Sequence, residues 1–193
     1  MTERIRIVLA LTGASGAAIG MRIAERLAAR GDVATQLVVS DAAKRTLAHE
    51  VGPLAWDVLV AYVETVHLAD DIGSTIASGS FRTTGMIVAP CSMRTLAAIA
   101  SGLSDNLITR AADVHLKERR RLLLLARETP LHLGHLRNMV AATEMGAIVM
   151  PPVPAFYQRP QSLADVIDHL AARAIDMLGL PGAGAAVEWD GKA

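Results

Sequence analysis

The chain has 193 residues, 52% of them hydrophobic and 3% aromatic, with Lys+Arg and Asp+Glu balanced at 19 each and a formal net charge of +0. This length suits one domain with a real core, and the balanced charge gives no global field to draw in nucleic acid or an anionic membrane. No apolar run approaches the roughly 18 to 20 residues of a membrane span, and the lone cysteine, Cys91, excludes an internal disulfide and fits a reducing cytoplasm.

The first apolar run, residues 5–11, carries Arg6 within it and Glu3 and Arg4 before it, and it leads into a glycine turn. It therefore reads as a buried strand and not as a signal peptide. The turn, Thr12-Gly13-Ala14-Ser15-Gly16-Ala17, feeds a helix starting at about Ser15. Free N–H groups and the macrodipole at such a helix start make a phosphate seat, with Ser15 as a cap or a phosphate donor. A purely structural turn uses the same residues, so both readings stand. The spacing is not G-x-G-x-x-G, which favours a mononucleotide over a dinucleotide.

Ala17, Gly20, Met21, Ala24 and Leu27 recur at helical spacing until Gly31 closes the helix. A second strand over 33–39 ends at Ser40-Asp41 ahead of a helix over 42–50. Ser40 is a second strand-end hydroxyl, explained equally by capping. Glu50 lies near a helix end where the dipole disfavours a carboxylate, and a solvated surface glutamate is its plain reading.

Residues 52–73 carry only a weak helical pattern over 58–63, and 72–80 are small and polar, a loop and candidate lid. A buried strand over 85–89 stops at Pro90 and delivers Cys91-Ser92-Met93-Arg94-Thr95 to the same sheet end as the first turn. Nothing nearby activates Cys91, which reads as a small buried residue.

Helical segments over 95–101 and 105–120 follow, the second bearing Arg110, Lys117, Glu118, Arg119 and Arg120. A basic cluster complements a helix C-terminus without any ligand. The strand over 122–126 ends in Arg127-Glu128-Thr129-Pro130, a charged pair that is costly at the end of a core strand unless partners or a ligand satisfy it. His132 and His135 have no third ligand at metal-binding spacing. The last core strand, 146–150, runs into Pro151-Pro152-Val153-Pro154, an extended arm that projects Phe156 and Tyr157 outward. Ser162 and Asp165 form a capping box on a helix to Leu178 that carries Arg173. A loose tail, 182–193, follows the domain of residues 1–181, with Trp189 as a docking candidate.

Strands alternating with helices give an α/β, three-layer, Rossmann-like (flavodoxin-like) parallel sheet in a single domain, with strand-end loops meeting at one site. A mean hydropathy of +0.35 exceeds what one small domain buries alone and points to subunit contacts.

Taken in order, Thr12-Gly13-Ala14-Ser15-Gly16-Ala17, Ala77-Ser78-Gly79-Ser80, Pro90-Cys91-Ser92, Arg110-Ala111-Ala112-Asp113-Val114, Leu116-Lys117-Glu118-Arg119-Arg120, Arg127-Glu128-Thr129-Pro130 and Pro151-Pro152-Val153-Pro154-Ala155-Phe156-Tyr157 make the chain resemble a flavin prenyltransferase of the UbiX kind over nearly its full length. The resemblance implies a cytoplasmic homododecamer that joins a dimethylallyl group from dimethylallyl phosphate to N5 and C6 of reduced FMN. The product, prenylated FMN, would serve a UbiD-type decarboxylase, often in ubiquinone synthesis, with no metal. It assigns Gly13, Ala14, Ser15, Ser40, Ser92, Met93, Arg94, Thr95 and Arg127 to FMN. It assigns Tyr157, Arg173, Lys117 and Arg110 to the dimethylallyl phosphate, some from a neighbouring subunit, and Ser15, Glu50 and Glu128 to proton transfer, with Tyr157 helping the phosphate to leave. The chain departs from some members in having Ile72 where they have a loop tryptophan, and Arg121 where proline is common. Asp70-Asp71 is its only paired-aspartate motif, which favours direct binding of a monophosphate over Mg²⁺-held pyrophosphate. An FMN-dependent cysteine decarboxylase and a non-enzymatic FMN carrier are the alternatives; for the decarboxylase, Cys91-Ser92-Met93-Arg94 replaces the usual Ala-Ser-Ala-Asn.

Overall fold

The computed structural model describes residues 4–182, 185–187 and 191; Trp189 lies outside them. Six parallel strands form one sheet: β1 (Ile5–Leu11), β2 (Val33–Val39), β3 (Thr65–His67), β4 (Gly85–Cys91), β5 (Arg121–Ala126) and β6 (Ile148–Val149). Their order is β3-β2-β1-β4-β5-β6. The chain winds outward from β1 in one direction and returns to wind from β4 in the other, so the topological switch point lies between β1 and β4.

Alternation along each strand divides the core. On β1, Ile7, Leu9 and Leu11 face one layer while Val8 and Ala10 face the other. The first layer is packed by α1 (Ala17–Ala29), α2 (Asp41–Glu50), α3 (Ala55–Ala61) and α7 (Leu163–Asp176). The second is packed by α4 (Met93–Ala100), α5 (Leu107–Lys117) and, through Ala142, α6 (Leu133–Glu144). Gly20 lets α1 lie against the sheet, since a Cβ there would sit 2.4 Å from the Ala89 carbonyl oxygen. Two arginines of α1, Arg22 and Arg26, both pair with Asp168 of α7 at 2.6 Å, which holds that carboxyl at about 2. The capping box at Ser162 and Asp165 forms as the sequence predicts.

Several boundaries differ from the sequence reading. The strand expected to stop at Pro90 continues to Cys91, with a register shift against β5 between Val88 and Cys91. The core strand expected over 146–150 is a two-residue, half-buried edge strand. Within 52–73 the chain forms both α3 and the edge strand β3. The segment over 72–80 is anchored: Ile76 is buried, Ala77 accepts from the Arg110 guanidinium, and Arg120 holds the Gly79 and Phe81 carbonyls. Among the described residues, no helix is long and apolar enough to cross a membrane.

Candidate functional site

At the switch point the ends of β1 and β4 are stitched together by Thr12. Its hydroxyl donates to the Pro90 carbonyl at 2.7 Å and accepts from the Ser92 amide at 2.8 Å. The Leu11 carbonyl accepts from the Ser40 amide at 3.1 Å. Ser40 and Ser92 are the N-caps of α2 and α4, their hydroxyls accepting from the amides of Ala43 and Thr95, each at 3.2 Å. Two helix N-termini are thereby aimed at one cavity of about 460 Å³, lined by Thr12, Gly13, Ser40, Ser92, Arg94 and Thr95 among others. First-turn amides have no intrahelical acceptors, so the cavity suits an anion, and a nucleotide phosphate in particular. Gly13 permits this geometry: a Cβ there would lie 2.5 Å from that of Ala42 on α2. The capping explanation of Ser40 thus holds, and the cap itself forms part of the cavity wall.

The seat expected at the start of α1 is already filled. Gly16, with φ 107, is the N-cap and offers no side chain, and Glu50 reaches back from the end of α2 to accept from the Gly16 and Ala17 amides at 2.9 Å each. Ser15 therefore does not cap the helix; its hydroxyl bonds the same carboxylate. Partial burial pushes the Glu50 carboxyl up, but Ser15, the two amides and the nearby Arg127 guanidinium outweigh it and hold the group below its ordinary value. Glu50 is neither a free surface glutamate nor at odds with a dipole, because the dipole it serves belongs to α1. The amides at the start of α1 are thus already taken, and the helix N-termini that border the cavity are those of α2 and α4.

The other expected residues are distributed more widely. Met93 is half-buried against the second layer, and the Arg127 amide bonds the Cys91 carbonyl at 3.1 Å. Arg127 and Glu128 are exposed, so the desolvation cost expected of a charged pair at a core strand end is not incurred. Arg110, in the second turn of α5, is half-buried and engaged by Ala77 and Asp113. Lys117 ends α5 beside Glu118, at the sheet edge where β5 enters. Eleven helical residues place it roughly 16 Å from the α5 start that borders the cavity. Tyr157, in a 3-10 turn after the proline arm, is 55% exposed and meets His169 of α7 edge-on at 6.5 Å. Arg173 lies four residues beyond His169, on the same helix face. None of Lys117, Arg110, Tyr157 or Arg173 lines the cavity.

Cys91 is fully buried with its thiol pushed up to about 12, which removes it as a nucleophile. His132 caps α6 and stacks on His135, and no group of three or more His, Cys, Asp or Glu among the described residues is placed to hold a metal ion. Thr12, Asp41 and Asn106 line the cavity although the sequence reading gives none of them a ligand role; Thr12 enters it only as the first residue of the glycine turn.

Residues 1–174 match the Flavoprotein family model. The chain is 53% identical over 176 residues to the flavin prenyltransferase UbiX of Thauera aromatica, covering 91% of this chain and 90% of that one. A crystal structure of AnUbiX (PadA1) in complex with FMN and dimethylallyl pyrophosphate superposes with a TM-score of 0.91 at 47% identity, covering 98% of this chain and 100% of the other. A dodecameric FMN-dependent UbiX-like decarboxylase from Escherichia coli O157:H7 gives a TM-score of 0.91 at 44% identity, covering 96% of this chain and 100% of that one.

Proposed function

The chain belongs to the UbiX family of flavin prenyltransferases, and from that membership we propose that it transfers a dimethylallyl group from dimethylallyl phosphate to N5 and C6 of reduced FMN. The observation that carries the reading is the convergence of the two N-cap serines, Ser40 and Ser92, with Gly13, Arg94 and Thr95, on a single cavity at the switch point. In this reading the α2 and α4 N-termini hold the phosphate, and Ala14, Ser15, Met93 and Arg127 border the remainder of the nucleotide. Reduced FMN, when bound, supplies the electron-rich ring positions at which the new C–N and C–C bonds form.

The protein's own groups manage charge and protons. Glu50, held below its ordinary value and bonded to Ser15, is anionic at neutral pH and ready to accept a proton passed through that hydroxyl; Glu128 is the second acceptor. Lys117, Arg110, Arg173 and Tyr157 are the donors to the departing phosphate, cations and a hydroxyl that neutralise a monophosphate directly.

Since Lys117 and Tyr157 do not line this chain's cavity, their role requires neighbouring copies of the chain. A homo-oligomer, a dodecamer as in the related Escherichia coli protein, supplies them. Exposed Leu133, Leu136 and Val140 form an apolar stripe on α6 that supports such burial. We place the protein in the cytoplasm and its product with a UbiD-type decarboxylase, as in ubiquinone synthesis.

Anaerobic incubation with reduced FMN, dimethylallyl phosphate and a chelator, followed by mass analysis, is expected to yield a flavin heavier by one five-carbon unit. Unchanged flavin, or transfer only after metal is restored, overturns the reading.

A further inference from the structure

The β1–β4 ladder pairs Ile7 with Gly85 through Ala10 with Val88 and then ends, two residues short of the cavity. Beyond it the two strand ends are held by Thr12. Its amide donates to the Pro90 carbonyl at 3.2 Å, its hydroxyl donates to the same oxygen at 2.7 Å, and that hydroxyl accepts from the Ser92 amide at 2.8 Å. The residue is 3% exposed, so each bond is shielded from competing water. Ser92 is the N-cap of α4, and the residue before Thr12, Leu11, holds the Ser40 N-cap of α2 through its carbonyl. The two helix N-termini are therefore bridged directly by one dipeptide, Leu11-Thr12, with the side-chain half of the linkage made by a single hydroxyl.

We propose that Thr12 is a positioning residue for the flavin phosphate, acting through Ser92 to fix the α4 N-terminus relative to that of α2. The proposal rests on the reading of the cavity as the FMN site. A positioning role of this kind is specific to the phosphate: displacing α4 by a few tenths of an ångström misaligns amides aimed at an anion but takes nothing from a ligand that has none. Replacing Thr12 by valine keeps shape and β-branching while removing both the donor and the acceptor, leaving the Ser92 amide buried without its partner.

The test compares FMN with riboflavin, the same flavin lacking the phosphate, by equilibrium titration of the full-length protein. The wild type is expected to bind FMN much more tightly than riboflavin; equal affinities overturn both the cavity reading and this proposal. Thr12→Val is expected to weaken FMN by about tenfold or more while riboflavin changes by less than about twofold. Thr12→Ser, which restores the hydroxyl, is expected to recover FMN affinity. Thr12→Ala carries the same expectation as valine and replaces it if the valine variant does not fold. Equal weakening of both ligands, or unchanged FMN binding with the wild-type preference intact, overturns the positioning role and leaves the cavity reading in place.

Discussion

Glu50 does at the level of one residue what the sequence assigns to a ligand. Its carboxylate sits on the Gly16 and Ala17 amides, so the α1 dipole is neutralised from within. Because its folded pKa is depressed, the stabilisation is present above the unfolded value and is lost as pH falls through the folded one. Glu50→Gln is expected to lose about 1 kcal/mol of stability at pH 7 in urea titrations, with the difference shrinking as the wild type is acidified past the ordinary glutamate range. Transferase activity should fall as well, since the amide cannot take a proton from Ser15. The contact joins residues 34 apart in the chain, and no local spacing encodes it. The turn therefore reads as an anion seat from local sequence alone, while the fold fills its amides with a carboxylate from the end of α2. Tyr157 raises the complementary question of a single hydroxyl. Tyr157→Phe keeps the ring against His169 but removes the hydroxyl proposed to donate to a developing phosphate anion, a contact typically worth about 2.7 to 4 kcal/mol. A hundred- to thousandfold loss of transfer with FMN affinity unchanged is expected; normal turnover at saturating dimethylallyl phosphate reduces Tyr157 to a structural aromatic.

Among the elements, β1 and β2 were legible to the residue because strands covered on both faces are mainly apolar, broken here by only Arg6 in β1 and Thr35-Gln36 in β2. The edge strand β3, half-exposed and three residues long, lacked that signal, whereas the apolar run around β6 reads as a longer core strand than the two residues that pair. The strand-end serines were legible for the same reason as the strands that carry them. The crossover from β3 to β4 is held in place by a buried histidine that the pattern did not reveal. His115, on α5, donates from Nδ1 to the Ala111 carbonyl at 2.7 Å and accepts at Nε2 from Thr83 at 2.9 Å. Thr83 in turn accepts from Arg120, which also holds Gly79 and Phe81. Burial, aided by the Arg120 charge and only partly countered by the Ala111 bond, brings His115 down to about 4. The unfolded chain binds this proton near pH 6.5 and the folded one does not, so stability is whole above 6.5 and declines as pH falls toward 4. The decline amounts to about 3 kcal/mol over that window. His115→Gln is expected to flatten it in urea titrations between these pH values; an unchanged slope assigns the acid sensitivity elsewhere.

At the scale of the whole molecule, the four residues proposed to hold the dimethylallyl phosphate lie outside the cavity of their own chain, and the sheet separates two of them. Tyr157 follows β6 and lies toward the edge where strands end, whereas Lys117 precedes β5 and lies at the edge where strands begin. Separated in this way, the two residues are expected to reach a given site from two different copies. If both residues serve the dimethylallyl phosphate, they come from different chains. Two inactive variants then complement each other. Lys117→Ala and Tyr157→Phe are each expected to be nearly inactive when assembled alone. Co-expressed in equal amounts, they form mixed assemblies in which a given site draws an intact lysine from one copy and an intact tyrosine from another, each with a chance of one half. About a quarter of the sites are then restored, and activity should recover to roughly that fraction of wild type. If both residues act within the same chain, every chain in the mixture lacks one of them and no activity returns. The exposed apolar face of α6 provides the control. Leu136→Glu with Val140→Glu places two charges on the apolar stripe, where exposure of 46% and 57% means that the isolated fold tolerates them. Light scattering is expected to show dissociation of the assembly, and complementation should be lost with it, because chains that do not meet cannot share a site.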